Sequence, residues 1–325
     1  MILVTGVSGF IGGRFAQLTL KDEEIIGIDL NEFYNYKGIS CKSIDIRSPE
    51  SIESIEKEYG ITSIVHCAAI ISPSRCQSEP RLAYETNIVG TLNMLDFARR
   101  RDIRKFIYIS SAGIYKNSEP EDIVTEDWPV APTDIYNISK VASESTVSYF
   151  TSTYGFDAIA LRITAPYGPG MYNGYRDLVV TDSLNRHTLI FADKCSKSQD
   201  IIMPFGGDHT INYTYVDDIA SAIRQAIKAK LTRFEVFNIT SGKNYKISDL
   251  GKAIKEICPE IEVRIGPGNL LQSNEEREPM LTRLSIQQGV FDISKANKLI
   301  GYSPKFELLD GMKGLISDIR RLTHR

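Results

Sequence analysis

A doubly wound α/β fold built on a parallel sheet is predicted for this 325-residue chain by three observations. Short, wholly apolar runs alternate with amphipathic stretches through the first half of the sequence. Those runs lack the apolar–polar alternation of a half-solvated strand, so they read as strands buried on both faces. The texture then changes past Leu161: glycines 168, 170 and 174 and prolines 166 and 169 crowd residues 165–176 with no helical or strand period. Strand–helix alternation followed by such a break predicts a parallel sheet covered by helices, plus a smaller second lobe.

The elements follow in order. Ile2–Val4 reads as the first strand, and Phe10, Ile11, Phe15 and Leu18 mark the apolar face of the first helix. Ile25–Ile28, Ser63–Val65, Phe106–Ile109 and Ala158–Leu161 read as further buried strands with helical segments between them. Asp218–Lys230 is predicted helical and Glu235–Ile239 a late strand, while 264–280 reads as loop. This gives a dinucleotide-type domain over 1–164, rejoined by about 211–240. The smaller C-terminal substrate lobe is discontinuous, over 165–210 and 241–325.

Composition narrows the class. Hydrophobic residues are 42% and charged residues 24%, ordinary for a globular chain and too apolar for disorder. The net charge of −3 provides no basic surplus for nucleic acid. No run approaches the ~18 apolar residues of a membrane span, and Met1–Val4 passes straight into Thr5-Gly6 without the features of a signal peptide. Five cysteines, odd in number, widely spaced and without a Cys-x-x-Cys pair, argue against a disulfide framework or structural zinc and for a reducing, cytoplasmic setting. The four histidines have no metal-ligand spacing, so no metal is expected.

Thr5 to Gly12 places glycines at 6, 9 and 12 between the first strand and the first helix. Glycine allows the tight turn and a close approach of backbone to a pyrophosphate, which the helix N-terminus attracts. Asp29 ends the second strand, where a carboxylate accepts both ribose hydroxyls of an adenosine and repels a 2′-phosphate; this favours NAD over NADP. Asp45-Ile46, after an expected third strand, is placed to frame the adenine. Tyr136 and Lys140, four apart on a predicted helix, share one face. Ser110-Ser111 closes the strand Phe106–Ile109 at its C-terminal end, where open α/β sheets bind ligands. A phenol of pKa ~10 is a poor base at neutral pH; a neighbouring ammonium favours its phenolate. A serine hydroxyl beside it can hold the substrate oxygen as the proton leaves.

These residues resemble the NAD-dependent epimerase/dehydratase family of extended short-chain dehydrogenases/reductases, over nearly the whole chain. The family's opening Thr-Gly-x-x-Gly-x-x-Gly stands as Thr5–Gly12, its cofactor Asp as Asp29, and its Asp-hydrophobic pair as Asp45-Ile46. Its His-x-Ala-Ala turn is similar to His66-Cys67-Ala68-Ala69, its helix-borne Asn to Asn87, and its Ser-Ser-Ala strand end to Ser110-Ser111-Ala112. Tyr136 to Lys140 resembles its Tyr-x-x-x-Lys. The family's Ser-to-Tyr interval of about 25 selects Ser111 over Ser110. Leu161-Arg162 through Tyr167-Gly168-Pro169-Gly170 resembles its Leu-Arg…Tyr-Gly-Pro segment, and Tyr215-Val216-Asp217-Asp218 its late Val-x-Asp box.

The resemblance implies Ser111, Tyr136 and Lys140 as catalytic. It implies Gly6, Gly9, Phe10, Ile11, Gly12, Asp29, Asp45, Ile46, Ala68, Ala69, Asn87, Tyr136, Lys140 and Pro166 as NAD contacts. Ser72, Ala112, Gly113, Ala165 and Arg283 are the expected substrate positions. Helices near 87–101 and 136–154 are expected to form a homodimer's four-helix bundle. Where the family's dehydratases and decarboxylases carry an acid after the catalytic Ser or Thr, this chain has Ala112-Gly113, which argues against dehydration. The family's usual Asn is replaced by Ala165, and its usual Arg seven residues before the late Asp by Ile211. Arg283, then Arg75 or Arg176, could supply a phosphate contact instead. The expected activity is hydride transfer at a secondary carbinol of a sugar or nucleotide sugar, by a 4-epimerase or reductase. The alternatives are a dehydrogenase of a free sugar, sugar acid or polyol, and a non-catalytic NAD(H)-binding protein.

Overall fold

Seven parallel strands form the central sheet of the computed structural model, which describes residues 1–30, 39–55, 59–170, 186–270 and 288–323. They are β1 (Ile2–Thr5), β2 (Ile25–Asp29), β3 (Ser40–Ser43), β4 (Ser63–His66), β5 (Lys105–Ser111), β6 (Asp157–Ile163) and β7 (Glu235–Ile239). Their spatial order is β7-β6-β5-β4-β1-β2-β3. The order reverses between β1 and β4, and ligands of doubly wound sheets bind in the crevice at that point.

The continuous apolar runs are explained by two buried faces. Ile2, Val4, Ile107, Ile109, Ile159 and Leu161 point to one side, where Phe15 and Ala16 of α1 (Phe10–Thr19) and Ile219 and Ile223 of a later helix cover them. Leu3, Phe106, Tyr108, Ala158 and Ala160 point to the other, under Met94 and Leu95 of α2 (Gly90–Arg100) and Val147 and Phe150 of α3 (Ile135–Tyr154). Helix α3 starts where the Asp134 carboxylate accepts the Asn137 N–H at 2.8 Å, and it ends at Gly155 in the left-handed conformation (φ 70°).

A second apolar cluster lies past β6. Helices α4 (Arg186–Ser196), α6 (Ile247–Ile257) and α8 (Leu308–Thr323) pack through Phe191, Leu250, Ile254, Met312 and Leu315. The cluster reaches Phe10, Ala165 and Tyr167 at the edge of the cleft. Between these helices, α5 (Val216–Lys228) returns the chain to the sheet before β7, and α7 (Ser294–Ile300) packs beside it through Ala296. The predicted helix 218–230 is therefore displaced by two residues toward the N-terminus. Val263–Ile265, which overlaps the start of the stretch 264–280 read as loop, pairs in parallel with Ile201–Met203.

The cysteine reading needs correction. Cys195, in the last turn of α4, and Cys258, at the end of α6, form a disulfide with their Cα atoms 6.1 Å apart. Both are fully buried. The two helix ends meet because their apolar faces share one core, and a separation of 63 residues carries no sign of that. Cys41, Cys67 and Cys76 are free thiols. Among the described residues no helix is long and apolar enough to cross a membrane.

Candidate active site

The glycine-rich loop follows β1 and lies against the turn after β4. Gly6 has φ +67°, and a Cβ there would stand 2.7 Å from the Ala68 nitrogen. A Cβ on Gly12 would stand 2.4 Å from the Gly6 carbonyl oxygen, so the loop closes onto α1 only without side chains. No side chain caps the start of α1 and no acidic residue occupies its first turn, which leaves the positive helix end directed into the cleft. The Asp29 carboxylate at the end of β2 accepts the Ser8 N–H at 2.9 Å. Such a cradle, with a carboxylate at its adenosine end, fits NAD.

The expected catalytic trio, Ser111, Tyr136 and Lys140, is drawn from β5 and α3. The Ser111 hydroxyl oxygen, at the end of β5, accepts the Gly113 N–H at 3.0 Å. Lys140 is 3% exposed; its Nζ donates to the Ile109 carbonyl at 2.7 Å and lies 5.6 Å from the Tyr136 ring centroid. One ammonium thus stands between the Tyr136 ring on α3 and the strand that carries Ser111. Burial pulls the Lys140 pKa down to about 8, partly offset by the Glu144 carboxylate one turn further along α3.

Asn87 sits in a π-helical turn (Glu85–Val89) that precedes α2. Its side chain accepts the Ile70 N–H at 2.8 Å and donates to the Ile70 carbonyl and to Ser139. It therefore fastens the turn bearing Ala68 and Ala69 to α3. Asp45 is paired with Arg47 (2.6 Å), which holds its carboxyl below the usual range. Ile46 is buried against Gly90. Phe10 is buried and Ile11 partly so at the start of α1, and Pro166 pairs with Thr214 across two short strands.

Ser72 caps the short helix Pro73–Ser78 by accepting the Arg75 N–H. Ala112 is buried, and its carbonyl accepts from Gln288 at 3.2 Å. Ala165 is buried with φ +36°, a conformation that Asn adopts more readily than Ala. Ile211 lies in the apolar cluster with Phe10 and Tyr167. Arg283 and Arg176 lie outside the described residues.

Three arrangements escaped sequence reasoning. His66 joins the end of β1 to the π-turn: Ala68 N–H donates to the Thr5 hydroxyl, which pairs with His66 Nδ1 at 2.8 Å. His66 Nε2 lies 3.0 Å from the Thr91 hydroxyl, whose proton goes to the Asn87 carbonyl. Since Thr91 spends its proton there, His66 carries its own on Nε2 and accepts at Nδ1 from Thr5. Burial pulls its pKa to about 3, so the ring is neutral. Secondly, Glu144 pairs with Arg162 (2.8 Å) and accepts from Ser110 (2.6 Å), all inside the protein. The i, i+4 stripe Tyr136–Lys140–Glu144 was the available signal. Thirdly, the buried Asn137 side chain occupies the space that a Gly113 Cβ would enter, 2.7 Å from its Oδ1. The wall beside Ser111 is thus filled where an acid would otherwise stand.

A doubly wound sheet with a glycine cradle at its switch point, and a Ser–Tyr–Lys set at the next strand end, defines an enzyme class. Its members hold a dinucleotide in that cradle. The chain belongs to the NAD dependent epimerase/dehydratase family, whose profile matches residues 2–240. It is 28% identical to UDP-glucuronate 4-epimerase of Thermodesulfobacterium geofontis, over 97% of this chain and 94% of that one. The UDP-glucose 4-epimerase of Thermotoga maritima, solved with UDP-glucose, superposes with a TM-score of 0.82 at 25% identity and 99% coverage of both chains. That of Thermus thermophilus, solved with NAD, gives 0.79 at 25% identity and 98% coverage of both.

Proposed function

We propose that this protein is a nucleotide-sugar epimerase that works at a secondary carbinol carbon, most simply C4, with NAD retained through the cycle. The observation that carries this reading is the buried Lys140 ammonium, which bridges Tyr136 and the strand end bearing Ser111 beside the glycine cradle. Bound NAD supplies the hydride acceptor and donor. The Gly6–Gly12 backbone and the start of α1 would hold its pyrophosphate and Asp29 its adenosine ribose. Tyr136, as phenolate, would take the proton of the sugar hydroxyl while Ser111 holds the oxygen. After the carbonyl has turned over within the site, Tyr136 would return that proton as the alcohol is re-formed. Lys140 keeps the phenolate accessible by its charge. Ala112 and Gly113 offer no acid to expel a neighbouring hydroxyl, which supports epimerisation over dehydration.

The sugar would lie between the sheet edge and a substrate lobe drawn from 165–210 and 241–325, near Ser72, Ala112, Gly113 and Ala165. A homodimer through α2 and α3 is supported by apolar side chains left on that face: Val89, Leu92, Ile138 and Tyr149 are 43%, 42%, 37% and 56% exposed. The three free thiols support a cytoplasmic setting, and the Cys195–Cys258 pair weighs against it.

A second reading, a dehydrogenase of an unlinked sugar or polyol, is favoured by one observation. Ile211 and Ala165 make an apolar wall where the family's Arg and Asn stand. Thermal stabilisation by UDP, GDP, CDP and dTDP separates the two. A shift with one nucleotide, together with NAD retained through purification, supports the epimerase. Silence from all four, with net NAD reduction on a free polyol, supports the dehydrogenase.

A further inference from the structure

Lys140 is not held by hydrogen bonding alone. Its Nζ lies over the face of a second ring, that of Tyr108, 4.9 Å from the centroid and nearer than the Tyr136 ring at 5.6 Å. Tyr108 is on β5, 1% exposed, and points to the same face as Phe106 under α2 and α3. The His66 ring stacks on it, 6.0 Å between centroids and 23° between planes. In parallel register His66 stands directly opposite Tyr108 on the neighbouring strand, so the sheet itself sets this stack.

We propose that Tyr108 is a positioning residue for catalysis, its ring face forming the floor that carries the Lys140 ammonium beneath the catalytic tyrosine. This rests on the reading of Tyr136 and Lys140 above.

The physical reason is the shortage of anions around a buried cation. On α3 the groups facing Lys140 are Tyr136 and Glu144, and Glu144 is already committed to Arg162 and Ser110. From β4 and its turn come the neutral His66 and the Cys67 thiol, and from the helix Pro73–Ser78 the Cys76 thiol. Burial pushes those two thiols up to about 12 and about 11, so neither is a thiolate at neutral pH. The Ile109 carbonyl accepts one ammonium proton. The remaining stabilisation comes from the negative ring faces, and Tyr108 presents the closer one. His66 must stay neutral for this, because a charged imidazole on the same ring would compete with the ammonium.

The test grades the ring and keeps its shape. Tyr108→Phe is the reference, and 4-fluoro-, 3,5-difluoro- and 3,4,5-trifluorophenylalanine at position 108 progressively weaken the face. Turnover and NAD affinity are measured on each full-length variant from about pH 6 to 9.5. Every fluorinated variant is read against Tyr108→Phe, which shares its lack of the hydroxyl. Along the fluorinated series the alkaline limb should move stepwise to lower pH, with turnover above pH 8 falling by between about two- and thirty-fold in total. At about pH 6, where the ammonium stays mostly charged in every variant, turnover should remain within about twofold of the wild type. A flat series, or an equal loss at all pH values, overturns the proposal. Should the trifluoro variant fail to fold, the monofluoro step carries the same reading with a smaller shift. If the wild type turns over no sugar substrate, the epimerase reading fails. The pH dependence of NAD affinity across the series then decides the role of Tyr108 by itself.

Discussion

Asp29 and Tyr136 separate the two halves of the work at the scale of a single residue. Asp29 ends β2 with its carboxylate on the glycine loop at Ser8. Replacing it by alanine removes a charged acceptor from the adenosine end, so NAD affinity should fall roughly ten- to a hundred-fold and the preference over NADP should narrow. Calorimetric titration with both dinucleotides measures this, and a wild type that prefers NADP would refute it. Tyr136→Phe deletes only the atom that moves the proton. Turnover should fall ~10²–10⁴-fold with NAD binding intact; a loss below tenfold assigns the base elsewhere.

Lys140 adds a stability signature to its role in catalysis. Its folded pKa, about 8, lies below the 10.5 of an ordinary lysine, because desolvation disfavours the charged form. Between these values the unfolded chain binds the extra proton, so this group's contribution rises with pH from 8 to 10.5 and is at its most unfavourable below 8. Lys140→Met should therefore be inactive yet more stable at pH 7, by an amount of order 3 kcal/mol, with the gap closing above pH 10. Denaturant unfolding of both proteins at pH 7 and 10 checks the sign. A variant less stable than wild type at pH 7 would show that the lost Ile109 contact outweighs desolvation.

Elements act here through the joints between them. The α4–α6 joint is covalent. In the chain-entropy picture, a bridge closing a loop of 63 residues restricts the unfolded state by about 4 kcal/mol. Dithiothreitol should lower the denaturant midpoint of the wild type and leave that of Cys195→Ala/Cys258→Ala unchanged. Thiol titration of the unfolded, unreduced chain should find three free thiols. Five would mean that the pair is reduced under those conditions. The α2–α3 joint is polar instead. Asn87 links the Ile70 turn to Ser139, and the Asn87 carbonyl also accepts from Ser143 at 2.8 Å. The π-turn that places Asn87 here gives no periodic sign in the sequence, so its motif was legible while its geometry was not.

For the molecule as a whole, the apolar face left on α2 and α3 belongs to helices that share no core with the α4–α6–α8 cluster. Pairing through it would leave both clefts open and support α3 from behind. Leu92→Glu with Tyr149→Glu should convert a particle of about twice 36.4 kDa into one of 36.4 kDa. Light scattering reads this directly, and a wild type already monomeric at micromolar concentration would remove the dimer from the account.

The sequence by itself determined the sheet and the cofactor loop, and it singled out Ser111, Tyr136 and Lys140 as the expected catalytic trio. Runs such as Phe106–Ile109 are apolar on both sides because both faces are covered, and Gly6 and Gly12 are glycines because backbone fills the space a Cβ would need. These demands are local, and local pattern records them. Tertiary structure decided what stands beneath those residues. The Glu144–Arg162 pair needs β5 and β6 in register, with Ser110 opposite Arg162. The stack of His66 on Tyr108 needs β4 beside β5, and the Cys195–Cys258 bridge needs two helices sharing a core. Each joins groups far apart in the chain, and no spacing along the chain encodes a distance that only packing creates.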